Sequence, residues 1–226
     1  VVRPFIEDVE TITELMEANG LRIKDEAFGI TGDSDNPRQF FGVLECALEG
    51  EHFTAEEYSL MVGLRGSYNQ SIPRGLAVGS RVFVCDNLAF SGEITISTKQ
   101  TTHINKRIPE LLARAVGNIP RLAQHQAQRF EGYRNTGLAP RWGDAALVEL
   151  LRRGVLNSQT LPRAVREWDE PSHPEHIADG RTAWTLHNAV TEAIKPTEGR
   201  ANILPAWEKT RKLTQFLDDV CGIAFD

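Results

Sequence analysis

A chain of 226 residues with 41% hydrophobic and 25% charged side chains can bury a sizeable core, and 18 glycines with 11 prolines are too few for a collagen-like or low-complexity polymer. No apolar run approaches the roughly 20 residues that a membrane helix needs, so no membrane partner is expected. The net charge of −6 hides a segregation: residues 1–60 hold 4 Lys/Arg against 14 Asp/Glu and residues 96–141 hold 8 against 2, which permits a local phosphate-tracking surface in an acidic chain.

The chain opens Val1-Val2-Arg3-Pro4 without a charged-then-apolar leader, so no signal peptide is expected. Val9, Ile12, Leu15 and Met16 recur at helical spacing, and Gly20 after Asn19 is a stop signal. Leu21 to Lys24 alternates like a short strand, and Gly32 to Pro37 reads as a turn or flexible loop. From Gln39 the period becomes two. Phe40–Ala47, Tyr58–Ser67, Leu76–Asn87 and Glu93–Lys99 are four β-rich runs, with joints at Glu49–Glu51, Asn69–Pro73 and Phe90–Gly92 that are too short for crossover helices. After Gln100 the pattern is helical: a long helix capped by Thr101 or Thr102 runs to about Tyr133, with Pro109 and Pro120 starting or kinking segments. Later helices are predicted over Asp144–Arg153, Leu161–Trp168, Thr182–Ile194 and Ile203–Val220, with a loop over Asp169–Glu175. The class is α+β: a central antiparallel meander of about four strands, then a long helix and a helical C-terminal half. The expected regions are 1–38 (helix and loop), 39–141 (sheet and long helix) and 142–226 (helices packed on the same core).

Two stretches carry more than composition. The first is Val62-Gly63-Leu64-Arg65-Gly66-Ser67-Tyr68-Asn69-Gln70-Ser71 with the later Arg81-Val82-Phe83-Val84-Cys85-Asp86-Asn87. It resembles the central signature of the DUF932 family of phage- and plasmid-encoded proteins, a strand ending Ser-His/Tyr-Asp-Gly-Ser and then a strand Arg-Val-x-Cys-x-Asn. The second, Trp184 to Glu192 within Arg181–Ala193, is similar to that family's Trp-x-x-x-Asn-Ala-Val-Thr-Glu helix. The chain departs at Asn69-Gln70, where Asp-Gly is commoner, so no carboxylate role carries over there. The resemblance implies a phage- or plasmid-type protein and transfers no activity.

Cys85 is either a nucleophile or a small apolar residue filling a strand, and without a neighbouring base or cation the second reading is preferred. Asn87 is expected to end its strand and tie down the next turn. Trp184, Asn188, Thr191 and Glu192 share one helix face, read as helix-to-sheet fastening with a ligand role as the alternative. His173 and His176 have metal-ligand spacing but no second pair, and Asp33–Asn36 lacks the later glycine and acid of a calcium loop, so no metal or cofactor is expected. The odd trio Cys46, Cys85 and Cys221 predicts reduced thiols and a cytoplasmic location.

The basic set is the remaining signal. Lys99, Lys106, Arg107, Arg114, Arg121, Arg129, Arg134 and Arg141 follow the last strand, and Arg107, Arg114 and Arg121 form one stripe if the helix is continuous. With Arg65 and Arg74 on the preceding strands, and Tyr68, Phe90 or Tyr133 as stacking platforms, this predicts a single-stranded DNA binder or annealer without a catalytic site. The rival expectation is an interaction or anti-defence module that presents its acidic N-terminal surface to a host or phage protein; a homo-oligomer suits either.

Overall fold

The computed structural model describes residues 4–33, 36–48, 58–68, 73–82, 87–97, 102–177, 180–195 and 203–224. The fold is α+β, as the change of period from two to 3.6 predicts. Helix α1 (Phe5–Ala18) precedes strands β1 (Leu21–Asp33), β2 (Asn36–Leu48), β3 (Tyr58–Ser67), β4 (Arg74–Val82) and β5 (Asn87–Ser97). Then come α2 (Thr102–Gly117), α3 (Ile119–Asn135), α4 (Pro140–Arg152), α5 (Leu161–Asp169), a single 3-10 turn at Pro174–Ile177, α6 (Ala183–Ile194) and α7 (Ile203–Cys221). The strands lie in chain order in one five-stranded sheet, and β1/β2 and β2/β3 pair antiparallel.

Three expectations are corrected. The short strand at Leu21–Lys24 continues to Asp33, because Ala27, Phe28, Gly29 and Ile30 pair onward with Val43, Gly42, Phe41 and Phe40. The turn expected at Phe90–Gly92 lies inside β5, and Asn87, expected to end a strand, is the first residue of β5; residues 83–86 of the expected strand lie outside the described residues. The long helix is two helices. Pro120 offers no N–H to a preceding turn and is best accommodated in the first turn of a helix; the chain breaks at Asn118, whose carbonyl accepts from Leu122 N–H at 3.1 Å. Helix α2 itself runs through Pro109.

The chain packs as two compact units, Val1–Gly79 with Gly92–Ala123 and Ser80–Ser91 with Gln124–Asp226, so the expected boundaries after residues 38 and 141 do not separate them. In the first unit Ile12 and Met16 of α1 and Leu112, Ala115 and Val116 of α2 meet Leu44, Cys46, Val62, Leu64 and Leu76 of the sheet in one apolar cluster. In the second unit α6 is enclosed along nearly its whole length, and only Glu192 is half-buried. Its neighbours include α5, α7 and the 3-10 turn. The Trp168 ring of α5 lies against Gly143 of α4, a position where a Cβ has no room.

Candidate nucleic-acid interface

Tyr68 and Arg74, expected to meet nucleic acid, instead anchor the start of α1. Pro4 precedes that helix and supplies no side-chain cap, so the first N–H of the helix needs another acceptor. The Tyr68 hydroxyl accepts it from Phe5 at 3.1 Å, and the two rings pack with centroids 4.3 Å apart. Arg74 is only 5% exposed; its Nε lies 3.1 Å from Asp8 Oδ2 and its guanidinium covers the Phe5 ring at 5.2 Å. Both side chains are committed to the fold. The crevice lined by Phe5, Asp8, Phe40, Arg65 and Arg74 encloses about 20 Å³, room for one water and not for a nucleotide.

The basic stripe is divided. Arg114 is exposed on α2 and paired with Glu110 at 2.9 Å, whereas Arg121 is exposed on α3, across the break at Asn118. Arg65 is half-buried on β3 opposite Phe41. Lys106 and Arg107 fall on α2 and Asn87 opens β5, but their side chains lie outside the described residues, as do Lys99 and Cys85 altogether. Tyr133 is not a platform: it is fully buried and donates its hydroxyl to Asp218 Oδ1 at 2.7 Å. Burial first, then the Asp218 charge, pushes its ionisation well up. Arg129 is likewise spent on Asp218, with Nε at 2.8 Å from Oδ1.

The Trp184 motif is buried, and two of its side chains bond to carbonyls of their own helix. Asn188 Nδ2 donates to Trp184 O at 3.0 Å, and Thr191 Oγ1 donates to His187 O at 2.9 Å, both within α6. Glu192 pairs with Lys195 at 3.6 Å. Trp184 packs on Phe130 and lies parallel to His187, with centroids 4.7 and 5.4 Å away.

An exposed surface that the motifs did not indicate lies on the same sheet as Arg65. Phe28 of β1 sits opposite Gly42, and its ring occupies the space over that glycine: a Cβ on Gly42 would come within 2.6 Å of it. Phe28 stacks on Phe40 at 5.9 Å and Phe40 stacks on Phe5 at 5.1 Å, so a ladder of rings runs from the core to a terminal ring that is 44% exposed. Ile30, two residues along β1, is 67% exposed. Arg38, also exposed, has no residue opposite it in β1, because the register moves from Thr31↔Gln39 to Gly32↔Pro37. The alternation Phe28-x-Ile30 was the available sequence signal; it reads as core until β1 is known to be the sheet's edge.

Among the described residues no group of three or more His, Cys, Asp or Glu side chains is placed to hold a metal, and no helix is long and apolar enough to cross a membrane. Comparison with family models, with curated proteins and with solved structures finds no match.

Proposed function

We propose that this chain binds single-stranded nucleic acid at the open end of its sheet, with Phe28 as the base-stacking platform and Arg38 as a phosphate contact. The observation that carries this reading is the exposed Phe28 ring, held in place by Phe40 behind it and Gly42 beneath it. A pre-positioned aromatic on a sheet face, with a cation on the paired strand, is how single strands are gripped without sequence readout, since every base has a π-face. Arg114 and Arg121 extend the basic character along α2 and α3. The resemblance to the DUF932 family fits a role in phage or plasmid replication, recombination or counter-defence.

A second reading has its own observation. Glu7, Glu10, Glu14 and Glu17 are all exposed on α1 and follow one another by three, four and three residues, a single acidic face. Such a face suits a basic protein partner and repels a phosphate chain.

Fluorescence anisotropy of a labelled oligothymidylate at about 50 and 200 mM salt separates the readings. The nucleic-acid reading expects binding that weakens steeply with salt, and a loss of about 1–3 kcal/mol in Phe28→Ala, the worth of one stacked base, with no change in melting temperature. Absence of binding at the lower salt, or a Phe28→Ala protein that binds as the parent does, rejects it. Charge reversal at Glu10 and Glu14 that abolishes capture of a basic protein partner supports the second reading.

A further inference from the structure

The chain that follows α5 folds back along the start of α6 and is held at two points. Ser172 donates its backbone N–H (2.9 Å) and its hydroxyl (2.6 Å) to the Glu167 carboxylate. Thr185, in the first turn of α6, donates its hydroxyl to the carbonyls of His176 (2.9 Å) and Gly180 (3.1 Å), and it shares a reciprocal cap with Thr182. Beside these clamps, His176 on the segment and its neighbour His187 on α6 each carry a buried nitrogen that has no hydrogen-bond partner among the described residues: Nε2 of His176 and Nδ1 of His187. His187 is 1% exposed, lies flat on Trp184, and has Phe130 and Tyr133 on its other sides. The His176 ring stands 5.5 Å from that of His173.

Burial is the largest effect against a proton on either ring; at His176 the neighbouring His173 adds to it while Glu175 and Glu167 favour the proton, and at His187 both charged neighbours oppose it. His176 faces His173, Glu175 and Glu167, and Glu167 is already bound to Ser172. His187 faces His176 and Arg129, with the neutral amide of Asn188 as its one favourable neighbour. Arg134 of α3 lies over the Trp184 ring at 4.9 Å and adds a further positive charge, while Asp218 of α7 is engaged by Arg129 and Tyr133.

We propose that residues 172–177 are an acid-released latch on the first turns of α6, opened by protonation of His176 and then of His187. The closed latch holds both imidazoles neutral and partly or wholly dry, and release returns them to water, where the charged form is solvated. His176 is half-buried and reachable, so it takes the first proton; burial and the neighbouring His173 hold its ionisation below the ordinary histidine value. His187 is fully enclosed and follows only once the segment has moved. Below about pH 6.5 the opening constant rises by up to about tenfold per pH unit for each histidine freed.

Hydrogen exchange followed by mass spectrometry on the full chain, at about pH 7 and about pH 5 and corrected for intrinsic rates, tests the latch. The expected result is a loss of protection of about tenfold or more at residues 172–177 at the lower pH, with α4 unchanged, and a clearly smaller loss in His176→Gln, where only His187 is left to take a proton. Equal protection at both pH values, a loss spread evenly over α4 to α7, or a pH dependence as large in His176→Gln as in the parent overturns the proposal. If His176→Gln does not fold, the NMR titration of the parent decides: the His176 ring and the Gly180 amide must shift with one midpoint below that of free histidine, and separate midpoints reject the latch.

Discussion

At the scale of single residues, position in the packing decides what a side chain is for. Asp8 and Arg74 form a pair buried beside Phe5, so Asp8→Ala leaves a guanidinium without its carboxylate; a loss of about 3–5 kcal/mol is expected in urea unfolding, and a loss under about 1 kcal/mol rejects the anchoring role. Gly143 sets two effects against each other. Alanine there gains about 1 kcal/mol of helix propensity but must displace the fully buried Trp168 ring, at about 1–3 kcal/mol. Net destabilisation of Gly143→Ala is the expected outcome in a thermal melt. Cys46 is a buried thiol whose ionisation burial, and then the Glu45 charge, push up to about 12. It carries almost no thiolate near neutral pH, so a thiol reagent is expected to label it only in denaturant. Labelling of the native protein at the rate of a free thiol contradicts this environment.

At the scale of elements, α6 buries the face that carries Trp184, Asn188 and Thr191. The Thr191 hydroxyl returns to carbonyls one turn back, at His187 and Asn188, as threonines on helices commonly do. Thr191→Val keeps the shape and removes only these local bonds, so its stability is expected to stay within about 1 kcal/mol of the parent; a loss of about 1–3 kcal/mol would signal a partner on another element. At the start of α6 Thr182 caps the helix, accepting from Thr185 N–H at 3.3 Å. Its replacement by alanine is expected to cost about 1 kcal/mol by the same melt. In the first unit the Asn118 break separates exposed Arg114 on α2 from exposed Arg121 on α3.

At the scale of the molecule, the second unit's stability is tied to pH through His187. Burial first, then His176 and Arg129, lowers its ionisation from the ordinary 6.5 to about 3 in the folded protein. Between those values the unfolded chain binds the proton and the folded one does not, so stability falls as pH drops below about 6.5 and this group contributes no slope above it. The slope reaches at most about 1.4 kcal/mol per pH unit. Urea unfolding at about pH 7 and pH 5 is expected to show the loss, and His187→Phe, which keeps an aromatic ring against Trp184, is expected to reduce it. An undiminished pH slope in that variant places the effect on other groups.

The sequence by itself determined the kinds of element and many of their ends, because periodicity, caps and stops are written over a few adjacent residues. The bounds of β3 at Tyr58 and Ser67, the start of α5 at Leu161, the cap of α6 at Thr182 and the positive-φ Gly20 after α1 all follow from such local patterns. Only the tertiary structure decided which charges and rings are available. In sequence Arg74 and Arg114 are both arginines in a basic middle region; folding seats the first against Asp8 and leaves the second on the surface. Phe28 and Tyr133 are likewise both aromatic positions in amphipathic patterns, and the edge place of β1 exposes one while α7 covers the other with Asp218 and the Thr214 carbonyl. The reason is that hydrophobic period records only that a face is buried, whereas the identity of what covers it depends on contacts between segments far apart in the chain.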